Sequence, residues 1–228
     1  MMEWSSKSAS RAYLDTLQLC ENKKREDGIW RVGNPESNEL ISALAAGMKA
    51  KLMVEVSSCV SLYTIALAVA ARQTGGRLIC VIPKSVLDES KEAIMNSGLE
   101  EQVEFRTEEP SKLLSFYHNI DFFLVHCKDD NYSRLLNLVD VSMKRSVIVV
   151  AKHVLSHQKG LRWYIRGKHE KSQVRSLSHP GNAMEVSRIC MNDDSDKKRR
   201  KSSWIAKFDE ESGEEHIYRV PQVHWFWS

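Results

Sequence analysis

Side chains with binding or catalytic chemistry occur together at two places in the sequence. Glu55 comes just before a polar segment from Ser57 to Ser61, and His126 begins a polar segment that includes Lys128. A carboxylate accepts hydrogen bonds from ligand hydroxyls, and a histidine with a reference pKa of about 6.5 suits general acid or base catalysis. Glu55 is therefore a candidate ligand-binding residue, and His126 is the candidate catalytic base.

Both candidates also have a structural interpretation. Glu55 can fix its own turn by accepting hydrogen bonds from backbone N–H groups, and a histidine at a strand end is often only hydrogen-bonded. A transition-metal site built from His126, Cys127, His153 and His157 is a further alternative, but no close-spaced pair of ligands supports it. No metal is expected.

The apolar segments indicate which elements must position these residues. Runs rich in β-branched residues alternate with helical segments, which is typical of βαβ units. The predicted strands cover residues 51–56, 77–82, 102–106, 120–125 and 146–151. Because they are almost continuously apolar, they predict a mostly parallel sheet with helices on both faces. Ligands of such sheets bind beyond the carboxyl ends of the strands, where both candidate segments lie.

The C-terminal third has a different pattern. Residues 160–181 are polar and irregular, and two strand-like segments, 185–191 and 204–208, are joined by a charged loop. These two segments predict an antiparallel hairpin at the edge of the sheet. We expect residues 1–33 to form a helical extension and residues 34–228 to form one α/β domain, with the two parts in a single globular unit.

Five parallel strands ending in a hairpin, with an acidic residue in the first strand-to-helix turn, resemble the class I S-adenosylmethionine-dependent methyltransferases. Residues 55–63 and 125–132 are most similar to the caffeoyl-CoA and catechol type of O-methyltransferase, which has E-[IV]-G-x-x-x-G-x-S and V-D-A-D-x-x-x-Y there. The segments beginning at Trp4, Glu39 and Gly76 resemble a plant family known only as a domain of unknown function. The resemblance implies a Rossmann-like methyltransferase sandwich, α/β in class, with a C-terminal antiparallel hairpin.

The resemblance also implies a cofactor site, in which several residue types differ from the usual ones. Ser57 and Ser61 replace glycines that let the cofactor approach the backbone, and Ile82 replaces an acidic residue that binds the ribose hydroxyls. His126 and Lys128 replace carboxylates, and a lysine beside a sulfonium is repulsive. The candidate cofactor-binding positions are Glu55, Ser57, Ser58, Ser61, Ile82, Glu108, His126 and Lys128.

The same comparison bears on the metal and the activity. Ala151 and Lys152 stand where the metal-dependent enzymes have an Asp-Asn pair, so the oxygen ligands that Mg²⁺ needs are missing. We therefore favour a methyltransferase-like binding or scaffold protein with degenerate cofactor and metal motifs, in which S-adenosylmethionine binding is not assured. One alternative is an active, metal-independent small-molecule methyltransferase. A second is a nucleic-acid-associated factor that uses the basic run Lys197-Lys198-Arg199-Arg200-Lys201.

Composition limits the classes of partner. The 228 residues are 42% hydrophobic and 28% charged, which excludes a wholly disordered chain. With 33 Lys and Arg against 30 Asp and Glu, the net charge of +3 argues against nucleic acid as the main partner, so a small molecule or a protein is expected.

Composition also bears on the compartment. The five cysteines occur singly, and no apolar run is long enough for a signal peptide or a membrane span. A soluble cytoplasmic protein is expected, with nuclear import through the basic run as an alternative to a solvated loop.

Overall fold

The structure of the protein is a computed structural model that describes residues 4–26, 37–126, 135, 146–152, 172–179, 184–191, 202–208 and 215–221. The described helices are α1 (Ser6–Glu26), α2 (Ser37–Gly47), α3 (Leu62–Thr74), α4 (Leu87–Met95) and α5 (Pro110–Leu114). The described strands are β1 (Leu52–Ser57), β2 (Arg77–Val81), β3 (Val103–Arg106), β4 (Phe122–His126), β5 (Ser146–Lys152), β6 (Ser172–His179), β7 (Met184–Met191), β8 (Ser202–Phe208) and β9 (Glu215–Pro221).

The strands β1 to β5 form the predicted parallel sheet, in the spatial order β3-β2-β1-β4-β5. Beyond β5, the antiparallel strands β7 and β6 complete a seven-stranded sheet. The chain crosses from β3 to β4 over two intervening strands, so the strand order switches between β1 and β4. In open α/β sheets this switch point is where ligands bind, and the ends of β1 and β4 carry Glu55 and His126.

Alternation along each strand divides the core between the two faces of the sheet. On one face, Met53 of β1 and Phe122 of β4 are fully buried and belong to a cluster with residues of α1, α2 and α3. On the other face, Val54 and Phe123 are fully buried and belong to a cluster with Leu114 of α5. A sheet covered on both faces explains why its strands are almost continuously apolar.

The N-terminal helix α1 packs against α2 and α3. Inside this contact the Thr16 hydroxyl donates a 2.8 Å hydrogen bond to Ser42 Oγ, and the Ser42 hydroxyl donates to the Ala12 carbonyl at 3.1 Å. All three residues are fully buried, so the polar groups at the helix contact satisfy one another. None of the described helices combines the length and the apolar character that a membrane span requires.

The C-terminal antiparallel strands are confirmed, but their pairing differs from the prediction. The sequence predicts that residues 185–191 pair with residues 204–208, whereas β7 lies between β5 and β6, and β8 pairs with β9. Because β7 is hydrogen-bonded to β5 on one edge and to β6 on the other, it has no free edge with which β8 could pair. By its contacts the chain divides into two units, Met1–Met191 and Asn192–Ser228, and β8 and β9 form a separate two-stranded sheet in the second unit.

Candidate functional site

The structure brings several of the predicted site residues to neighbouring positions at the carboxyl ends of β1, β2 and β4. Glu55 of β1 is in register with Cys80 of β2, and Ser57 is in register with His126 of β4. Since alternate residues of a strand face the same side, Glu55 and Ser57 lie on the face of Met53, which is the face covered by α3. The candidate site is therefore formed where β1 leads into α3.

Glu55 is fully buried, and both of its carboxyl oxygens are engaged inside the protein. The Thr64 hydroxyl donates to Oε1 at 3.1 Å, and the Cys80 thiol donates to Oε2 at 3.8 Å. Burial raises the pKa of Glu55 from 4.5 to about 8, and the hydrogen bonds from Thr64 and Cys80 oppose this shift only in part. At pH 7 the carboxyl group is therefore predominantly protonated and neutral.

The neighbouring Cys80 thiol is also unable to act as an exposed nucleophile. It is fully buried, and burial, followed by the Glu55 carboxyl, raises the pKa of Cys80 well above its usual range. Cys59 in the turn differs, since its thiol is free and its side chain is exposed. Cys127 lies outside the described residues.

The turn between β1 and α3 is held by a cap at the start of the helix. Ser61 has extended backbone angles, and its hydroxyl oxygen accepts a 3.2 Å hydrogen bond from the Tyr63 N–H. Thr64 completes a capping box, because its hydroxyl oxygen accepts a 3.0 Å hydrogen bond from the Ser61 N–H. Ser61 therefore satisfies helix amides that would otherwise be open to a ligand.

The other two serines of the turn differ in exposure. Ser57 is the last residue of β1 and is 4% exposed, and its hydroxyl oxygen has no partner of normal hydrogen-bond geometry among the described residues. Ser58 is exposed to solvent. The predicted cofactor position at Ser57 is thus occupied by a buried hydroxymethyl group.

Ile82, just after β2, is 3% exposed, and its N–H donates a 2.9 Å hydrogen bond to the Arg106 carbonyl. Its side chain is apolar and packed, so it offers no acceptor to a ligand. Glu108, after β3, is exposed, and its carboxylate accepts a 3.0 Å hydrogen bond from the Thr107 N–H. Lys128 lies outside the described residues.

His126 ends β4 and is partly exposed. Its ring packs edge-to-face against Tyr63 of α3, with 5.3 Å between ring centroids and an interplanar angle of 81°. Sequence reasoning did not assign Tyr63 to the site, because nothing in its local pattern indicates contact with β4. Two rings in this arrangement stabilise each other and fix the orientation of the imidazole.

The described part of the chain holds no group of three His, Cys, Asp or Glu residues that could bind a metal ion. At the end of β5, Ala151 is 1% exposed and offers no oxygen ligand from its side chain. His153 and His157 lie outside the described residues, as does the basic run from Lys197 to Lys201.

Two buried carboxylates at other positions were not predicted as functional. Asp121, immediately before β4, is 1% exposed, and its Oδ2 accepts hydrogen bonds from the N–H groups of Lys51 (2.8 Å) and Leu52 (3.1 Å). Asp121 therefore ties the beginning of β1 to the beginning of β4, far from the ligand edge. Glu39, near the start of α2, is 2% exposed. A single acidic residue beside an apolar run was the available signal in both cases.

Comparisons with known proteins agree with this architecture. A family model described as "Protein of unknown function (DUF1442)" matches residues 1–220. The comparison with curated proteins finds no match for this sequence.

Three solved structures illustrate the structural likeness. A methyltransferase from Geobacter sulfurreducens has a TM-score of 0.57 at 15% identity, covering 78% of this chain and 89% of its own. A candidate caffeoyl-CoA O-methyltransferase from Staphylococcus aureus has a TM-score of 0.55 at 10% identity, covering 76% and 91%. An O-methyltransferase from Bacillus cereus in complex with SAH has a TM-score of 0.51 at 14% identity, covering 78% and 91%. The predicted Rossmann-like methyltransferase fold is thereby confirmed.

Proposed function

Since the chain belongs to the DUF1442 family of proteins of unknown function and has the methyltransferase fold, we propose that it is a methyltransferase-like binding or scaffold protein that does not transfer methyl groups. Its partner is a small molecule or a protein at the carboxyl ends of β1, β2 and β4. S-adenosylmethionine is the first ligand to test, and neither it nor a divalent metal is needed for the proposed role.

One observation carries this proposal. Glu55 is the acidic residue that the sequence shares with the methyltransferase motif, and it is fully buried, neutral at pH 7 and hydrogen-bonded to Thr64 and Cys80. A carboxyl group in this state has no oxygen directed to a ligand and no charge to offer a sulfonium. These contacts support a structural role for Glu55, the acidic residue of the motif.

Two other described positions, Ile82 and Ser61, support the same conclusion. Ribose hydroxyls need acceptors, and Ile82 presents a buried apolar side chain at the end of β2. The amides of the first turn of a helix attract the polar groups of a ligand, and the Ser61 hydroxyl already binds the Tyr63 amide. These described residues do not fit the ribose and amino-acid parts of S-adenosylmethionine in the usual way.

Calorimetry and a methyl-transfer assay test the proposal together. Purified protein is titrated with S-adenosylmethionine and with S-adenosylhomocysteine, and is then incubated with catechol and phenolic CoA-thioester acceptors, with Mg²⁺ or with EDTA. We expect no methylated product and no binding at submillimolar concentration. A Kd below about 100 μM together with methylated product would contradict the proposal.

A variant that restores the usual residues provides a positive control. The double substitution Ser57→Gly and Ile82→Asp should increase the affinity for S-adenosylmethionine, whereas Ser58→Gly in the same turn should not, because Ser58 is exposed. Circular dichroism checks that each variant is folded.

One observation favours a second candidate, an active metal-independent methyltransferase. His126 is partly exposed at the switch point and is oriented by Tyr63, so it could serve as a general base. This candidate predicts methyl transfer in EDTA that is lost in His126→Gln. Tyr63→Phe should retain the activity, because it keeps the ring contact.

A further inference from the structure

A chain of hydrogen bonds connects the buried Glu55 carboxyl to the turn at the candidate site. Thr64 lies in the middle of this chain, since its hydroxyl donates to Glu55 Oε1 at 3.1 Å and accepts from the Ser61 N–H at 3.0 Å. Glu55 and Thr64 are both fully buried. The Ser61 amide is thus held by a side chain whose own hydrogen bond depends on the state of a buried acid.

The described surroundings of Glu55 contain no charge that would stabilise its ionised form. Thr64 faces it from α3 and Cys80 from β2, and Leu124 is its register partner on β4. Other titratable groups at this end of the described sheet include Cys59 in the turn, Tyr63 at the start of α3, and the last residues of three strands: His126 of β4, Arg106 of β3 and Lys152 of β5.

Among the described residues, Glu55 has no salt bridge. Burial raises its pKa to about 8, so the neutral acid is the form that matches this environment.

We propose that protonated Glu55 is a positioning residue for the turn of residues 57–61, and that loss of its proton opens this turn. An ionised carboxylate in this place requires water, and the turn that follows Glu55 contains the solvent-exposed residues Ser58 and Cys59, three and four positions along the chain. Opening the turn admits water at the cost of the hydrogen bonds around Ser61. The candidate site therefore has one shape at neutral pH and another in mildly alkaline solution.

The consequence for ligand binding rests on the proposed function, but the structural change does not. A ligand that uses the turn of residues 57–61 would bind the closed form, so its affinity would fall in alkaline solution. The structural change itself can be measured on the protein without a ligand. A failed ligand titration and a failed structural test are consequently distinct results.

Hydrogen exchange tests the structural change. The amides of Ser61, Tyr63 and Ile65 each donate a hydrogen bond at the turn, to Thr64 Oγ1, Ser61 Oγ and the Ser61 carbonyl, respectively. Their protection factors, corrected for intrinsic exchange, should fall about tenfold between pH 7 and pH 9, as expected for an acid that titrates near pH 8. The Gly76 amide, bonded to Ala71 at the other end of α3, is the internal control and should not change.

Variants of Glu55 and Thr64 test whether the pH-dependent loss of amide protection depends on their hydrogen bonds. Glu55→Gln should remove the pH dependence and keep the turn closed, because a neutral amide retains an oxygen acceptor. Thr64→Val should remove the protection of Ser61 at every pH, and Thr64→Ser should restore the wild-type pH profile.

Constant protection in the wild type, or a tenfold loss that persists in Glu55→Gln, would overturn the proposal. If Glu55→Gln does not fold, the wild-type profile and the two Thr64 variants still decide.

Discussion

Replacing Gly47 by alanine should destabilise the protein only while Trp4 is present. The indole ring of Trp4 lies across Gly47, so a Cβ atom added there would be 2.2 Å from ring atom Cη2 and 2.3 Å from Cζ2. The backbone holds this contact, because the Ser5 N–H donates a 2.8 Å hydrogen bond to the Gly47 carbonyl. In the Gly47→Ala variant the ring must leave its place.

The expected loss of stability follows from the burial of the indole ring of Trp4. Trp4 is 51% exposed, so about half of the indole area, roughly 100 Å², is removed from water. At about 25 cal/mol per Å² this contributes about 2.5 kcal/mol, which Gly47→Ala would forfeit. Gly47 is the last residue of α2 and does not have a positive φ, so alanine also gains up to about 1 kcal/mol of helix propensity there.

A double-mutant cycle separates the two contributions. Gly47→Ala alone should cost about 1.5 kcal/mol and Trp4→Ala about 2.5 kcal/mol, whereas Gly47→Ala added to Trp4→Ala should stabilise by up to about 1 kcal/mol. Urea unfolding followed by circular dichroism measures all four proteins. Leu14→Ala on α1 is the control, since Leu14 is 61% exposed and its loss should change stability by less than about 0.5 kcal/mol.

The deciding measurement is the sign of the stability change when Gly47→Ala is added to the Trp4→Ala variant. If Gly47→Ala destabilises the protein equally with and without Trp4, the indole contact is not the reason for glycine at this position. The cause would then lie in the backbone at the end of α2.

Two further predictions concern Gly76 and Glu55. Gly76→Ala should lower the free energy of unfolding, measured with urea, by about 2 kcal/mol or more. The added Cβ would lie 2.7 Å from the Lys51 carbonyl oxygen and 2.8 Å from that of Ala50, and these backbone atoms cannot move aside. A loss below about 0.5 kcal/mol would contradict this reasoning. Between pH 4.5 and about 8, Glu55 keeps its proton in the folded protein but loses it in the unfolded chain. The contribution of Glu55 to the free energy of unfolding is therefore largest below pH 4.5, falls as the pH rises to about 8 and does not change further above that pH. This loss of up to about 5 kcal/mol should be absent in Glu55→Gln when urea unfolding is measured from pH 5 to 8.5, and parallel curves for the two proteins would refute the raised pKa.

The parallel part of the sheet was predictable because its strands must be apolar on both faces. Residues 77–82 and 146–151 showed this directly, and the structure has β2 and β5 there. The strand β6 was not predictable, because residues 172–179 lie at the edge of the sheet and are mostly polar. Without β6, the sequence left β7 with an unpaired edge, and the next strand-like segment along the chain was the natural but wrong partner.

The positions of the candidate site were predictable, but the state of its residues was not. Spacing alone placed Glu55 at the end of β1 and His126 at the end of β4. The raised pKa of Glu55 depends on α3 and β2 covering it, and the contact between Tyr63 and His126 joins residues more than sixty positions apart. Such long-range effects leave no local pattern.

Ser61, which stands where the motif has glycine, caps helix α3, and this cap gives a second physical reason why the serine bears on ligand binding. The sequence comparison treated Ser61 as a steric obstacle, because a serine has a Cβ atom where the motif has none. The segment from Ser61 to Thr64 is also a capping box, and its two side chains bind the Tyr63 and Ser61 amides. A glycine at this position has no side-chain acceptor, so it leaves the amides at the start of the helix available to a ligand. The serine engages the Tyr63 amide inside the protein, which supports the proposed loss of cofactor binding for a reason that does not depend on the size of the ligand.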